Sequence, residues 1–203
     1  MIACEYSARV RDAFRAAGHD AWSVDLLPTE GDPEYHVQGD ALEVIGRGGW
    51  DLVIAFPPCT YLTNSNAWRW DKIATERAEA LDFVRAIMDA DCERIAVENP
   101  AGAIGTQIRK ADQYVQPWHF GEPWQKTTGL WLKNLPKLEP KVTEKPAGVV
   151  PWCQAGYGPR DPETGRRTSA IGRMGAKRSG HERSRTFQGI AQAMADQWGP
   201  LIP

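Results

Sequence analysis

The chain has 203 residues, 42% of them hydrophobic, which suits one globular domain with a real core and leaves no room for a second domain of full size. Its formal net charge of -2 excludes a globally basic nucleic-acid binder, so any such contact must come from local clusters of Lys and Arg. Cys4, Cys59, Cys92 and Cys153 are widely spaced, with no CxxC pair and no Cys/His run at zinc-ligand spacing, so neither a disulfide framework nor a structural zinc site is indicated, and no metal is expected. No apolar stretch approaches the roughly 18 to 20 residues of a bilayer span, and no signal-peptide pattern opens the chain, so a soluble protein in a reducing, cytoplasmic setting is expected.

In chain order, a short apolar start at 2–4 precedes an amphipathic helix over 9–17, where Val10, Ala13, Phe14 and Ala17 recur at helical spacing and Gly18 is the stop. Residues 21–25 follow as a strand, and a loop runs from Pro28 to Pro33. The continuous apolar run 52–56, closed by Pro57-Pro58, has the pattern of a strand buried on both faces of a parallel sheet. Ala80, Leu81, Val84, Ile87 and Met88 predict a helix between Ile73 and Ala90, and Arg94-Ile95-Ala96-Val97 a further buried strand. This alternation predicts an α/β fold with a doubly wound, mostly parallel sheet, whose functional groups gather at the carboxyl ends of the strands.

From Leu135 to Arg185 the chain turns rich in Pro, Gly, Arg and Lys, and a last helix begins near Thr186 with Phe187, Ile190, Ala191, Met194 and Ala195 on one face. Three regions result: a catalytic unit at 1–135, a short basic insert at 136–185, and a helix at 186–203 that packs back on the first unit. Nine Trp residues are unusual for this length. Most are expected in the core or a pocket wall rather than as base-stacking platforms.

Two segments carry chemistry. Cys59 follows a Pro-Pro turn at a strand end, which aims a thiol into the crevice, although a lone Cys there also serves as a small apolar cap. Glu98-Asn99-Pro100 follows the next strand, and adjacent parallel strands would bring its carboxylate to the same edge. With both motifs in this order, the chain resembles the cytosine-5 DNA methyltransferase family, marked by Pro-Cys after one strand and Glu-Asn-Val after the next. Here Pro57-Pro58-Cys59 and Glu98-Asn99 match, and Pro100 departs from the usual valine. The resemblance spans roughly residues 1–135 and implies a sheet of the class I S-adenosylmethionine-dependent methyltransferase type.

The resemblance further implies that Cys59 attacks carbon 6 of cytosine, that Glu98 relieves charge at ring nitrogen 3, and that Asn99 braces the loop. The cofactor would be S-adenosylmethionine, held by Glu5, Tyr6, Ser7, Ala8, Asp25, Leu26, Asp40, Ala41 and Pro57. The family's glycine-rich turn is absent at Cys4-Glu5-Tyr6-Ser7-Ala8, so a site needing positive φ would be strained. Asp25 would accept from ribose hydroxyls and Asp40 from the adenine amino group; both also fit as turn or cap residues. Gly121-Glu122-Pro123-Trp124-Gln125-Lys126-Thr127-Thr128 is similar to a reduced Gln-x-Arg-x-Arg segment, with Lys126 as the surviving cation. A solvated lysine is the plain alternative.

The expected partner is double-stranded DNA with a flipped cytosine, its phosphates met by Arg166, Arg167, Arg173, Lys177, Arg178, Arg183 and Arg185. With only about 50 residues where the family carries a target-recognition domain, short or relaxed sequence recognition follows. Such economy would suit a bacteriophage or mobile-element enzyme. Two alternatives stand beside this reading: carbon-5 chemistry on a free cytidine nucleotide, and an inactive nucleic-acid-binding module on the same scaffold. An amino-methyltransferase is disfavoured because Phe56 stands where those enzymes place Asp, Asn or Ser before Pro-Pro.

Overall fold

The computed structural model describes residues 1–64, 71–152, 157–160, 167–169, 182 and 184–203. Seven strands form the central sheet in the order β3-β2-β1-β4-β5-β8-β6. They are β1 (Ile2–Ala3), β2 (Ser23–Asp25), β3 (His36–Gln38), β4 (Leu52–Ala55), β5 (Arg94–Asn99), β6 (Gln113–Val115) and β8 (Thr128–Lys133). The first five pair in parallel, and β8 runs antiparallel to both β5 and β6. The expected doubly wound, mostly parallel α/β sheet is therefore present.

Alternation along each strand builds two cores, one per face of the sheet. Ile2, Leu52, Ile54, Ala96 and Leu130 point to the face covered by α1 (Arg9–Ala16) and the last helix, α5 (Gln188–Trp198). Ala3, Val53, Ala55, Ile95, Val97 and Trp131 point to the other, where α2 (Ala41–Gly46), α3 (Ala74–Met88) and α4 (Ala103–Gln107) lie. On the first face Val10, Ala13 and Phe14 of α1 share a cluster with Ile190, Ala191, Met194 and Trp198 of α5. Each large side chain buried there contributes roughly 1.5–3 kcal/mol, so the last helix is integral to the fold. Phe187, the residue before α5, is also in that cluster, as its apolar spacing predicts.

Outside the main sheet, β7 (Trp124–Gln125) pairs in parallel with β9 (Val150–Pro151), and β10 (Tyr157–Arg160) with β11 (Arg167–Ser169) as an antiparallel hairpin. Among the described residues no helix is long and apolar enough to cross a membrane.

The order of the parallel strands places a topological switch between β1 and β4, where successive connections depart to opposite sides and a crevice opens beyond the strand ends. The segments that leave these strands, 4–8 and 56–60, hold the motifs singled out in the sequence.

Candidate active site

Burial at the end of β4 changes abruptly: Pro57 is buried, whereas Pro58, Cys59 and Thr60 are exposed. The Cys59 carbonyl accepts from the Leu62 and Thr63 amides at 3.0 Å each, so the chain turns sharply just beyond the thiol. The Asn99 amide, 1% exposed at the end of β5, donates from Nδ2 to the Pro57 carbonyl at 2.7 Å. The neighbouring strand thus anchors the turn, as the bracing role assigned to Asn99 requires. Among the described residues Asn99 Oδ1 is buried without a hydrogen-bond partner.

The segments after Cys59 and after Glu98 are also joined through main chain. Ala103 N donates to Leu62 O at 2.7 Å, Asn64 N donates to Ala101 O at 3.1 Å, and Thr63 bridges Gly102 in antiparallel fashion. Gly102 permits this approach, since a Cβ there would stand 1.8 Å from the Leu62 carbonyl oxygen. Its backbone is extended, so the demand for glycine is steric.

Glu98 lies on β5 in parallel register with the residues leaving β4, where Ala55 faces Val97. It shares the sheet face of Ala96 and is partly exposed. Its Oε1 accepts from the Thr128 hydroxyl at 2.8 Å. Lys126, the expected cation of this segment, has its Nζ 5.7 Å from the centroid of the Phe187 ring. The residue of the segment that bonds Glu98 is Thr128. The spacing of the antiparallel strand, unread in the sequence, is the signal that would have found it: Glu98 faces Leu130, and Thr128 lies two positions along on the same face. Trp124, Trp152 and Phe187 line the same side through edge-on contacts of 5.0 and 4.8 Å between ring centroids.

On the β1 side, the turn takes the positive φ that glycines would have supplied: Cys4 has φ 57° and Ala8 φ 60°. A left-handed alanine costs about 1–2 kcal/mol. Glu5 offsets this locally by accepting from the Val10 amide at 2.7 Å, the Arg11 amide at 3.1 Å and the Ser7 hydroxyl at 3.3 Å. The carboxylate thereby takes up free amides at the start of α1. Burial pushes Glu5 up to about 7, against the downward pull of those donors and of the Arg11 charge. Glu5 was expected at a cofactor; it is instead folded inward, 3% exposed, and shapes the turn.

The side chains of Tyr6, Ser7, Ala8, Ala41 and Pro57 are likewise buried, so these residues wall the crevice rather than reach into it. Asp25 and Asp40 lie near enough to Cys4 for both charges to act on its thiol, and Leu26, which follows β2, is 73% exposed. One oxygen of each carboxylate is engaged locally, Asp25 Oδ1 by the Leu27 amide and Asp40 Oδ1 by the Leu42 and Glu43 amides at the start of α2. The turn and cap roles are thus real, and each carboxylate retains a second oxygen. Burial, with these two charges, pushes the Cys4 thiol up to about 12, and Cys92 is buried with its Sγ directed at the Trp50 and Arg94 carbonyls. Of these three described cysteines only Cys59 is exposed.

The expected phosphate contacts stand differently. Arg166, Arg173, Lys177, Arg178 and Arg183 lie outside the described residues, and Arg167 is placed only as backbone at the start of β11. Arg185 is a correction: its guanidinium binds both Glu30 oxygens, at 2.8 and 2.6 Å, which commits it to a structural pair. The same stretch is tied to the β1 turn by Tyr6 Oη and Ser184 Oγ at 2.9 Å, and by Arg9 Nη1 donating to the Thr186 carbonyl at 2.8 Å. No protein-family model matches this chain, and a search of curated proteins found no match to it.

Proposed function

We propose that this chain transfers a methyl group from S-adenosylmethionine to carbon 5 of cytosine in DNA through a transient bond between Cys59 and the base. The observation that carries the reading is the joining of two motif segments at one sheet edge. An exposed thiol after β4 and a partly exposed carboxyl on β5 are held by the Asn99–Pro57 bond and by the Thr63–Gly102 bridge. The resemblance to cytosine-5 DNA methyltransferases rests on the same residues.

In the reaction, the Cys59 thiol loses its proton to solvent and Sγ bonds to carbon 6. The carbon 5–carbon 6 π pair shifts to carbon 4–carbon 5, and the displaced pair settles on nitrogen 3, which takes a proton from Glu98. Carbon 5 is then nucleophilic. S-adenosylmethionine, when bound, would supply the electrophilic methyl for carbon 5, with its demethylated thioether as the leaving group. The carbon 5 proton leaves to solvent, its electron pair restores the ring double bond, the Sγ–carbon 6 bond breaks, and nitrogen 3 returns its proton to Glu98.

The crevice fits such a cofactor in two respects: Asp25 and Asp40 each hold one oxygen free of local bonds for hydroxyl and amino donors, and Leu26 offers an exposed apolar surface. The inward turn of Glu5 leaves no room for an anion on the Val10 and Arg11 amides. A second reading keeps the same chemistry on a free cytidine nucleotide; on either reading the pairing of Arg185 with Glu30 engages one of the cations expected on phosphate.

Duplex DNA carrying 5-fluorocytosine should form a covalent adduct with the protein in the presence of S-adenosylmethionine, and Cys59→Ser should abolish it. Persistence of the adduct in that variant would overturn the proposal. Labelled methyl appearing in deoxycytidine monophosphate but not in duplex DNA would establish the second reading instead.

A further inference from the structure

We infer that Thr128 is the positioning residue of the candidate acid, determining which Glu98 oxygen faces the pyrimidine; this rests on the reading of Glu98 as proton donor to ring nitrogen 3. Thr128 is 3% exposed, and its hydroxyl donates to Glu98 Oε1 at 2.8 Å. Among the described residues Oε2 takes no hydrogen bond.

The hydroxyl is held from both sides of its strand. Thr128 opposes Val115 of β6, and the next residue, Gly129, opposes Asn99 of β5. A Cβ at Gly129 would meet the ring of Trp131 on the same strand at 2.9 Å and the Asn99 carbonyl of β5 at 3.2 Å, so this stretch is tightly packed. A threonine on a strand paired at both edges has little freedom at χ1, so its hydroxyl is a fixed donor.

A carboxyl on a flexible stem otherwise rotates about its last bond and presents either oxygen. With Oε1 accepting from Thr128, a proton on the neutral acid resides on Oε2, the oxygen left to face the substrate. The family's segment is described by its arginines; here the neighbour of the acid is an uncharged hydroxyl.

The test compares wild type, Thr128→Val and Thr128→Ser in the 5-fluorocytosine adduct assay across pH, with DNA affinity and melting temperature measured alongside. Valine keeps the volume and loses the donor; serine keeps the donor. Thr128→Val should form adduct about 100-fold more slowly, the scale of general acid catalysis, with unchanged DNA affinity and a displaced acid limb in its pH profile. Thr128→Ser should return to within a few-fold of wild type. In a Glu98→Gln background Thr128→Val should add nothing further. A wild type that reacts while Thr128→Val matches it, or valine and serine variants that are equally slow, would overturn the role of Thr128 alone. A wild type that forms no adduct at all would overturn the functional reading, and this inference with it.

Discussion

Gly102 offers the most direct measure of how far the thiol depends on the β5 side of the crevice. In Gly102→Ala the new Cβ would stand 1.8 Å from Leu62 O, 2.8 Å from Leu62 C and 3.0 Å from Thr63 Cα. All three contacts are backbone, so no side chain can swing aside. Reaching 3.0 Å from the Leu62 oxygen requires about 1.2 Å of movement between the two segments. That movement breaks the Ala103–Leu62 and Asn64–Ala101 bonds, worth about 1 kcal/mol each, so a loss of about 2 kcal/mol is expected in urea unfolding. The Leu62 and Thr63 amides are also the donors that close the turn on Cys59, so the thiol moves with them. Misplacement of a reacting group by about 1 Å costs on the order of 100-fold in rate. Adduct formation should slow on that scale while the DNA affinity is retained. A Gly102→Ala protein with unchanged stability and unchanged adduct rate would refute the claim that this close approach positions Cys59.

Two further outcomes follow from the buried groups around β1. Glu5 is raised from its ordinary 4.5 to about 7, so the native state holds this proton more tightly than the unfolded chain, and stability from this group is lost as pH rises from 4.5 to 7. The shift corresponds to roughly 3 kcal/mol; Glu5→Gln should flatten the pH dependence of denaturation over that window, and an unaltered slope would contradict the assignment. Among Cys4, Cys59 and Cys92, iodoacetamide at pH 7.5 should label Cys59 first in peptide mapping, because the Cys4 thiol is pushed up to about 12 and Cys92 is buried; equal labelling of Cys4 would count against the described turn.

The legible part of the fold is the part in which hydrophobic periodicity is unambiguous. The runs at 52–56 and 94–97 are buried on both sheet faces and stand out as continuous apolar segments, and α1 and α5 present their stripes at helical spacing. The Cys59 and Glu98 segments were legible for the same reason, since parallel strands bring successive carboxyl ends to one edge. What escaped depends on partners distant in sequence. β3 has only partly buried residues in two of its three positions and no apolar run to reveal it. The reversed strand β8 is preceded by Lys126, the one cation that the chain order singles out there; the reach of Thr128 to Glu98 follows only from antiparallel register. At Ala8 the missing glycine correctly signalled strain, but the inward carboxylate of Glu5 was not visible in the spacing. By composition Arg185 belongs to the basic run; its pairing with Glu30 spans 155 residues.

The packing of α5 on α1 also bears on how the chain is made. The helix that covers Val10 and Phe14 begins at Gln188, while the helix it covers ends at Ala16. At ribosomal speeds of 5–20 residues per second, the intervening stretch takes roughly 10–35 s to synthesise. Throughout that interval the part of the α1 stripe that α5 will cover stays open, although Ile2, Leu52 and Ile54 of the sheet are already made.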